Sequence, residues 1–164
     1  MAHEEFLVGF AQLALVLTGF VSIFVAFKVD QENRSRATTH HAVSIIVGSL
    51  VTLFAAFVPL LVFAYGLSGD ALWWWSSLGF FTLSLLYFAV MMSMTLRLTR
   101  SEFMEAGVLH MALSYGLGTT AGAFCALNLV FEPLPGNYLM ALVINFSVPL
   151  IAFVSFSVQK VLHW

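Results

Sequence analysis

Charge is what this chain has least of: Asp, Glu, Lys and Arg together make up 9% of its 164 residues, against roughly a quarter in soluble domains. Hydrophobic residues fill 61% of the positions, with Phe alone contributing 17, which is more apolar surface than a soluble core of this length can hide. The net charge of -2 comes without a basic patch, and this argues against nucleic acid as a partner. A single cysteine, Cys125, excludes an internal disulfide and any multi-cysteine metal site. At membrane depth it reads as a small packing residue. The sequence also lacks a phosphate-cradling loop, paired carboxylates, and a nucleophile beside a base, so nothing marks it as an enzyme.

What it has instead is five long apolar runs: Phe6 to Phe27, His40 to Tyr65, Ala71 to Leu96, Gly107 to Phe131 and Tyr138 to Leu162. Each is long enough to cross a hydrocarbon core of about 30 Å. The first follows Met-Ala-His-Glu-Glu, has no basic leader and is too long for a signal peptide, so it reads as a retained span. Lys28 to Thr39 and Arg97 to Glu105 read as polar loops, and Gly66 to Asp70 and Glu132 to Asn137 as tight turns. Asp70 and Ser101 are the expected N-caps of the third and fourth spans. With no repeat or linker, the expectation is all-α: a polytopic membrane helix bundle of five transmembrane helices, one integral membrane domain from Met1 to Trp164.

Six basic residues set the expected orientation. Lys28, Arg34 and Arg36 lie in the first loop, Arg97 and Arg100 in the third, and Lys160 near the C-terminus. Five spans place all three groups on one side, while the N-terminus and the other loops carry only Glu4, Glu5, Asp70 and Glu132. The positive-inside rule then predicts the N-terminus outside and the C-terminus in the cytoplasm of a bacterial inner membrane. Trp73, Trp74 and Trp75 at the start of the third span read as interfacial anchors in the bilayer.

No Asp, Glu, Lys or Arg lies inside a predicted span, where ion-coupled transporters and proton pumps usually keep one. The polar content of the spans is of another kind. In the fourth, His110, Ser114, Gly118, Gly122, Cys125 and Asn128 recur at steps of three and four, which is one face of a helix. Ser44, Gly48, Thr52, Ala55 and Pro59 form a similar stripe in the second span, with a kink expected at Pro59. Asn145, Pro149, Ala152, Ser155 and Gln159 do so in the fifth. Gln12 is the strongly polar residue of the first span. These small and polar positions are expected to face other helices or line a cavity, and Gly118-x-x-x-Gly122 is a helix-contact signal. Asn128 and Asn145 are expected to bond across helices, at about 1 kcal/mol each. His40, His41 and His110 fall at similar depth, and imidazoles on two helices can ligate a metal or haem iron. His41 and His110 are therefore candidates for a b-type haem between them, or for a quinone site beside them.

Several short stretches resemble a group of small uncharacterised bacterial membrane proteins. They are Phe10-Ala11-Gln12-Leu13-Ala14 with Leu17-Thr18-Gly19-Phe20, then Val58-Pro59-Leu60, the Trp opening the third span, Leu127-Asn128, and Tyr138 opening the fifth. The resemblance covers most of the chain and implies a multi-spanning membrane protein without a known activity. Where that group carries an acidic residue in the first span, this chain has Gln12.

Three functions are compatible with this pattern. The first is assembly, as a homo-oligomer or as a subunit beside other membrane proteins, with no catalytic chemistry and no cofactor of its own. The second is a homo-oligomeric pore lined by the Ser, Thr and Asn stripes. The third is a haem- or quinone-binding electron-transfer subunit using His41 and His110.

Overall fold

Each apolar run carries one long helix, the element that satisfies its own backbone hydrogen bonds without help from solvent. The computed structural model describes residues 3–26 and 36–162. Its helices are α1 (Glu4–Ala26), α2 (Arg36–Ala64), α3 (Gly69–Thr95), α4 (Arg100–Ala106), α5 (Val108–Val130) and α6 (Pro135–Leu162). Four stretches among the described residues are long and apolar enough to cross a membrane: Arg36–Ala64, Gly69–Thr95, Val108–Val130 and Pro135–Ser155. Lys28, Arg34, His163, Trp164 and the side chains of Gln159 and Lys160 lie outside the described residues.

Two connections depend on backbone that only glycine adopts easily. After α2 the Leu67 amide donates to the Val62 carbonyl and Gly66 to Phe63, with Gly66 at φ 86°. This is the Schellman ending of a helix. The cap of α3 is then Ser68, whose side chain makes no capping bond. Asp70, expected as that cap, instead sits in the first turn, where its charge favours the positive helix end.

The second connection holds a further correction. Arg97 to Glu105 is not simply a loop: it contains α4, a separate two-turn helix. Thr99 caps it in a reciprocal box, its hydroxyl accepting from the Glu102 amide while the Glu102 carboxylate takes the Thr99 amide at 2.8 Å. Ser101, expected to cap the fourth span, hydrogen-bonds Thr99 instead at 3.1 Å. Gly107, at φ 87°, breaks the chain between α4 and α5. The Thr99 amide, the Thr99 hydroxyl and Arg36 hold the Glu102 carboxyl below the usual glutamate range. A depressed carboxyl stabilises its fold above the unfolded pKa and loses that contribution as pH falls through the folded one. Amide exchange at residues 99–103 should therefore lose protection below the ordinary glutamate pKa in the wild type. Glu102→Gln should show no such step.

The bundle is built around α2, which packs against α1, α3, α4 and α6, while α5 packs on α6 and α3. Small residues allow the helices to approach closely: Ala11, Ala55, Ala56, Ala121, Ala141 and Ala152 are all buried. Larger side chains fill the space near the α2–α3 turn, where Leu7, Trp73, Phe80, Tyr138 and Leu142 form the main core. Val16, Phe20, Leu61, Leu86, Leu109 and Val130 point outward and leave the outer faces of these helices apolar. The described basic residues Arg36, Arg97 and Arg100 stand at the end where α4 lies, and Arg36 Nη1 donates to the Arg97 carbonyl at 3.0 Å. Asp70 and Glu132 follow from the connections at the opposite end.

The tryptophans divide by direction. Trp73 is 7% exposed and packs between His3 and Tyr138, so it belongs to the core and not to an interfacial belt. Trp74 donates its indole N–H to the Leu129 carbonyl at 3.3 Å, and Trp75 is half exposed. Three consecutive helical residues point about 100° apart, so they cannot share one face.

Candidate functional site

Pro59 creates the first unusual group in the interior. It has no N–H to give the Ala55 carbonyl one turn earlier. The hydroxyl of Tyr138, fully buried on α6, donates to that carbonyl instead. A second proline, Pro149, is met on α2 by Gly48. A Cβ on Gly48 would stand 3.4 Å from that of Pro149 and 3.2 Å from the Tyr87 hydroxyl.

The two asparagines have separate jobs. Asn128, with no exposed surface, donates from Nδ2 to Ser77 Oγ at 3.0 Å and to the Leu134 carbonyl at 3.0 Å. Its Oδ1 accepts from the Leu134 amide at 3.0 Å and from Asn137 Nδ2 at 2.9 Å. It thus ties the α5–α6 turn to itself and to α3. Asn145 donates to Thr52 Oγ1 at 2.9 Å, and Thr52 in turn donates to the Gly48 carbonyl at 3.0 Å. Ser44, Thr52 and Asn145 are buried inside the bundle.

The histidines gather where α4 crosses the bundle end. His40, His41 and His110 are all buried, and the His41 and His110 rings stack at 4.5 Å between centroids, tilted by 23°. His41 Nδ1 lies 3.0 Å from the Ala37 carbonyl. Neither ring nitrogen of His110 has a hydrogen-bond partner among the described residues. Imidazole lone pairs lie in the ring plane, so two stacked rings do not point at one metal between them. A haem would also have to stand between the two imidazoles, which here touch face to face. Among the described residues no group of three His, Cys, Asp or Glu side chains could hold a metal ion.

His40 faces differently. Its Nε2 lies 3.0 Å from Thr95 Oγ1, which donates to the Met91 carbonyl at 2.9 Å and lies 2.6 Å from the Tyr115 hydroxyl. This residue lines a cavity of about 350 Å³ between α2, α3, α5 and α6, and also a surface cleft beside Arg36 and Arg97. The cavity walls include Phe81, Phe88, Met91 and Met111, with Ser44, Ser84, Ser114 and Asn145 as polar points. The hydroxyls of Ser84 and Ser114 and the Nδ1 of His40 are buried without partners among the described residues. Each such group costs about 1–3 kcal/mol.

The predicted stripe of α5 is therefore brought together, though not by tight helix packing. Ser114, Gly118 and Gly122 line the cavity. A Cβ on Gly118 would meet nothing within 4 Å, and one on Gly122 only the Phe81 ring at 3.8 Å. The stripe of α2 is buried from Ser44 through Gly48 to Pro59. Gln12 stands apart from both: it lies on the outward side of α1. Sequence reasoning singled out His41 and His110 and missed His40 as the cavity residue. It also missed Tyr138, for which the orphan carbonyl below Pro59 was the available signal. No family model matches the chain, and no curated protein or solved structure matches it either.

Proposed function

We propose that this chain is a five-span bacterial inner-membrane protein that works through assembly, with a second copy of itself seated against α1. With 23 residues at 1.5 Å each, α1 is about 34 Å long, enough for a fifth span. The clustering of Arg36, Arg97 and Arg100 at one end supports an N-terminus outside and the α4 end in the cytoplasm.

The observation that carries the assembly reading is the outward Gln12. In this structure α1 packs on α2 and only marginally on α6, so one side of it is left to lipid. Gly9, Gln12, Val16, Gly19 and Ile23 follow one another there at steps of three and four. This is the spacing of a helix–helix seam. A Cβ on Gly9 or Gly19 would meet nothing within 4 Å, so a neighbouring backbone can come close. A carboxamide facing hydrocarbon is costly alone, but it carries both donor and acceptor and satisfies its own copy across a twofold axis.

Native mass measurement in mild detergent tests this. The wild type should run as a dimer, and Gln12→Leu should weaken the dimer about ten-fold, from interhelical amide bonds of about 1–2 kcal/mol. A wild-type monomer, or a dimer indifferent to Gln12→Leu, sinks the reading. Another polypeptide at fixed stoichiometry would make the chain a subunit of a mixed complex.

A further inference from the structure

The cavity between α2, α3, α5 and α6 has the features of a ligand site, and we propose that it takes a neutral, lipid-soluble phenol or aromatic alcohol from the bilayer. Its volume of about 350 Å³ compares with the roughly 150 Å³ that encloses a benzene ring. A ring with the start of an alkyl tail therefore fits. Leu85, Thr119 and Ala123 line it and are also exposed on the outer surfaces of α3 and α5. The slot between those two helices thus leads into lipid and not into water.

The lining chemistry narrows the class. Among the described residues no Asp, Glu, Lys or Arg lines the cavity, so a phosphate, carboxylate or ammonium group would be buried there without a counter-charge. Phe81, Phe88 and Tyr115 offer ring faces and edges, and Met91 and Met111 offer polarisable sulfur. All of these favour an aromatic occupant.

Hydrogen-bond accounting then selects a hydroxyl. The Thr95 hydroxyl has one proton, and the Met91 carbonyl, which can only accept, takes it. His40 Nε2, at 3.0 Å from the same oxygen, must therefore carry the hydrogen of that contact. In the neutral ring this leaves Nδ1 as a bare acceptor, and it has no donor among the described residues. Ser84 and Ser114, which can donate or accept, are likewise unpartnered. A ketone or ether oxygen can serve the serines but never Nδ1. A hydroxyl can donate to Nδ1 and accept from the serines, and so suits both kinds of group.

The experiment uses the full chain in phosphatidylcholine nanodiscs and equilibrium dialysis with a labelled decyl-hydroquinone. Its bis-methyl ether serves as the matched probe without hydroxyls. Saturable binding at one site per chain is expected, with the ether about ten-fold weaker or worse, the size of a lost hydrogen bond or two. Gly118→Leu extends a side chain into open cavity space and should abolish the saturable part. Ser114→Ala should weaken it several-fold. Equal binding of hydroquinone and ether in the wild type overturns the hydroxyl assignment without reliance on any variant. Non-saturable partitioning, or a site unchanged in a folded Gly118→Leu protein, overturns the cavity as the place of binding. Loss of saturable binding as phospholipid is raised at constant probe activity also overturns it, since the slot then belongs to acyl chains.

Discussion

Asn128→Leu should lower the stability of the folded bundle by about 2–4 kcal/mol, read from denaturant titration in mixed micelles. Substitution strands four groups at once: the Ser77 hydroxyl, both backbone groups of Leu134 and the Asn137 amide. A single interhelical hydrogen bond in a membrane protein averages only about 0.6 kcal/mol, whereas an unsatisfied buried group costs about 1–3 kcal/mol. The turn lies partly open at Leu134, so water recovers some of these, and the sum is discounted to the range given. Asn145→Leu is the internal comparison. That amide donates one bond, to Thr52, which still donates to Gly48 afterwards. Its replacement should cost about 1 kcal/mol or less. If the two asparagines proved equal, the fourfold bonding of Asn128 would not be what holds the turn.

Tyr138→Phe should destabilise by about 1–3 kcal/mol, because the fully buried Ala55 carbonyl loses its donor. The cause makes a sharper claim than the magnitude does. In a Pro59→Ala background residue 59 recovers an N–H, the helix itself satisfies Ala55, and the Tyr138 hydroxyl becomes redundant. The cost of Tyr138→Phe should then shrink by about 1 kcal/mol or more in a double-mutant cycle. Additive effects of the two substitutions would separate Tyr138 from the proline.

The long helices could be read from the sequence because apolar runs of this length have few alternatives. The short α4 could not be read in that way: its seven residues, Arg100–Ala106, are mostly polar and look like a loop. Only the Thr99-x-x-Glu102 spacing marks its start. Direction was the harder part. Nearly every residue of α1 is apolar, so nothing in its periodicity distinguishes the side facing α2 from the side carrying Gln12. For α3 the opposite holds, since adjacent tryptophans must diverge and one of them was bound to enter the core. Gly118-x-x-x-Gly122 has the spacing of a close helix contact, yet that spacing cannot tell a touching backbone from the wall of a cavity. The histidines were legible as a cluster, but which ring faces open space depends on a few tens of degrees of helix rotation.

The bonding of Asn128 also bears on how the chain enters the bilayer. An amide in the hydrocarbon is an obstacle to insertion for as long as it is bare. Here three of its four bonds go to Leu134 and Asn137, within nine residues along the chain, and only Ser77 is distant. The α5–α6 hairpin can therefore cover its own polar group when its turn closes, before α3 is at hand. The cargo that is hardest to carry across is wrapped by the segment that carries it.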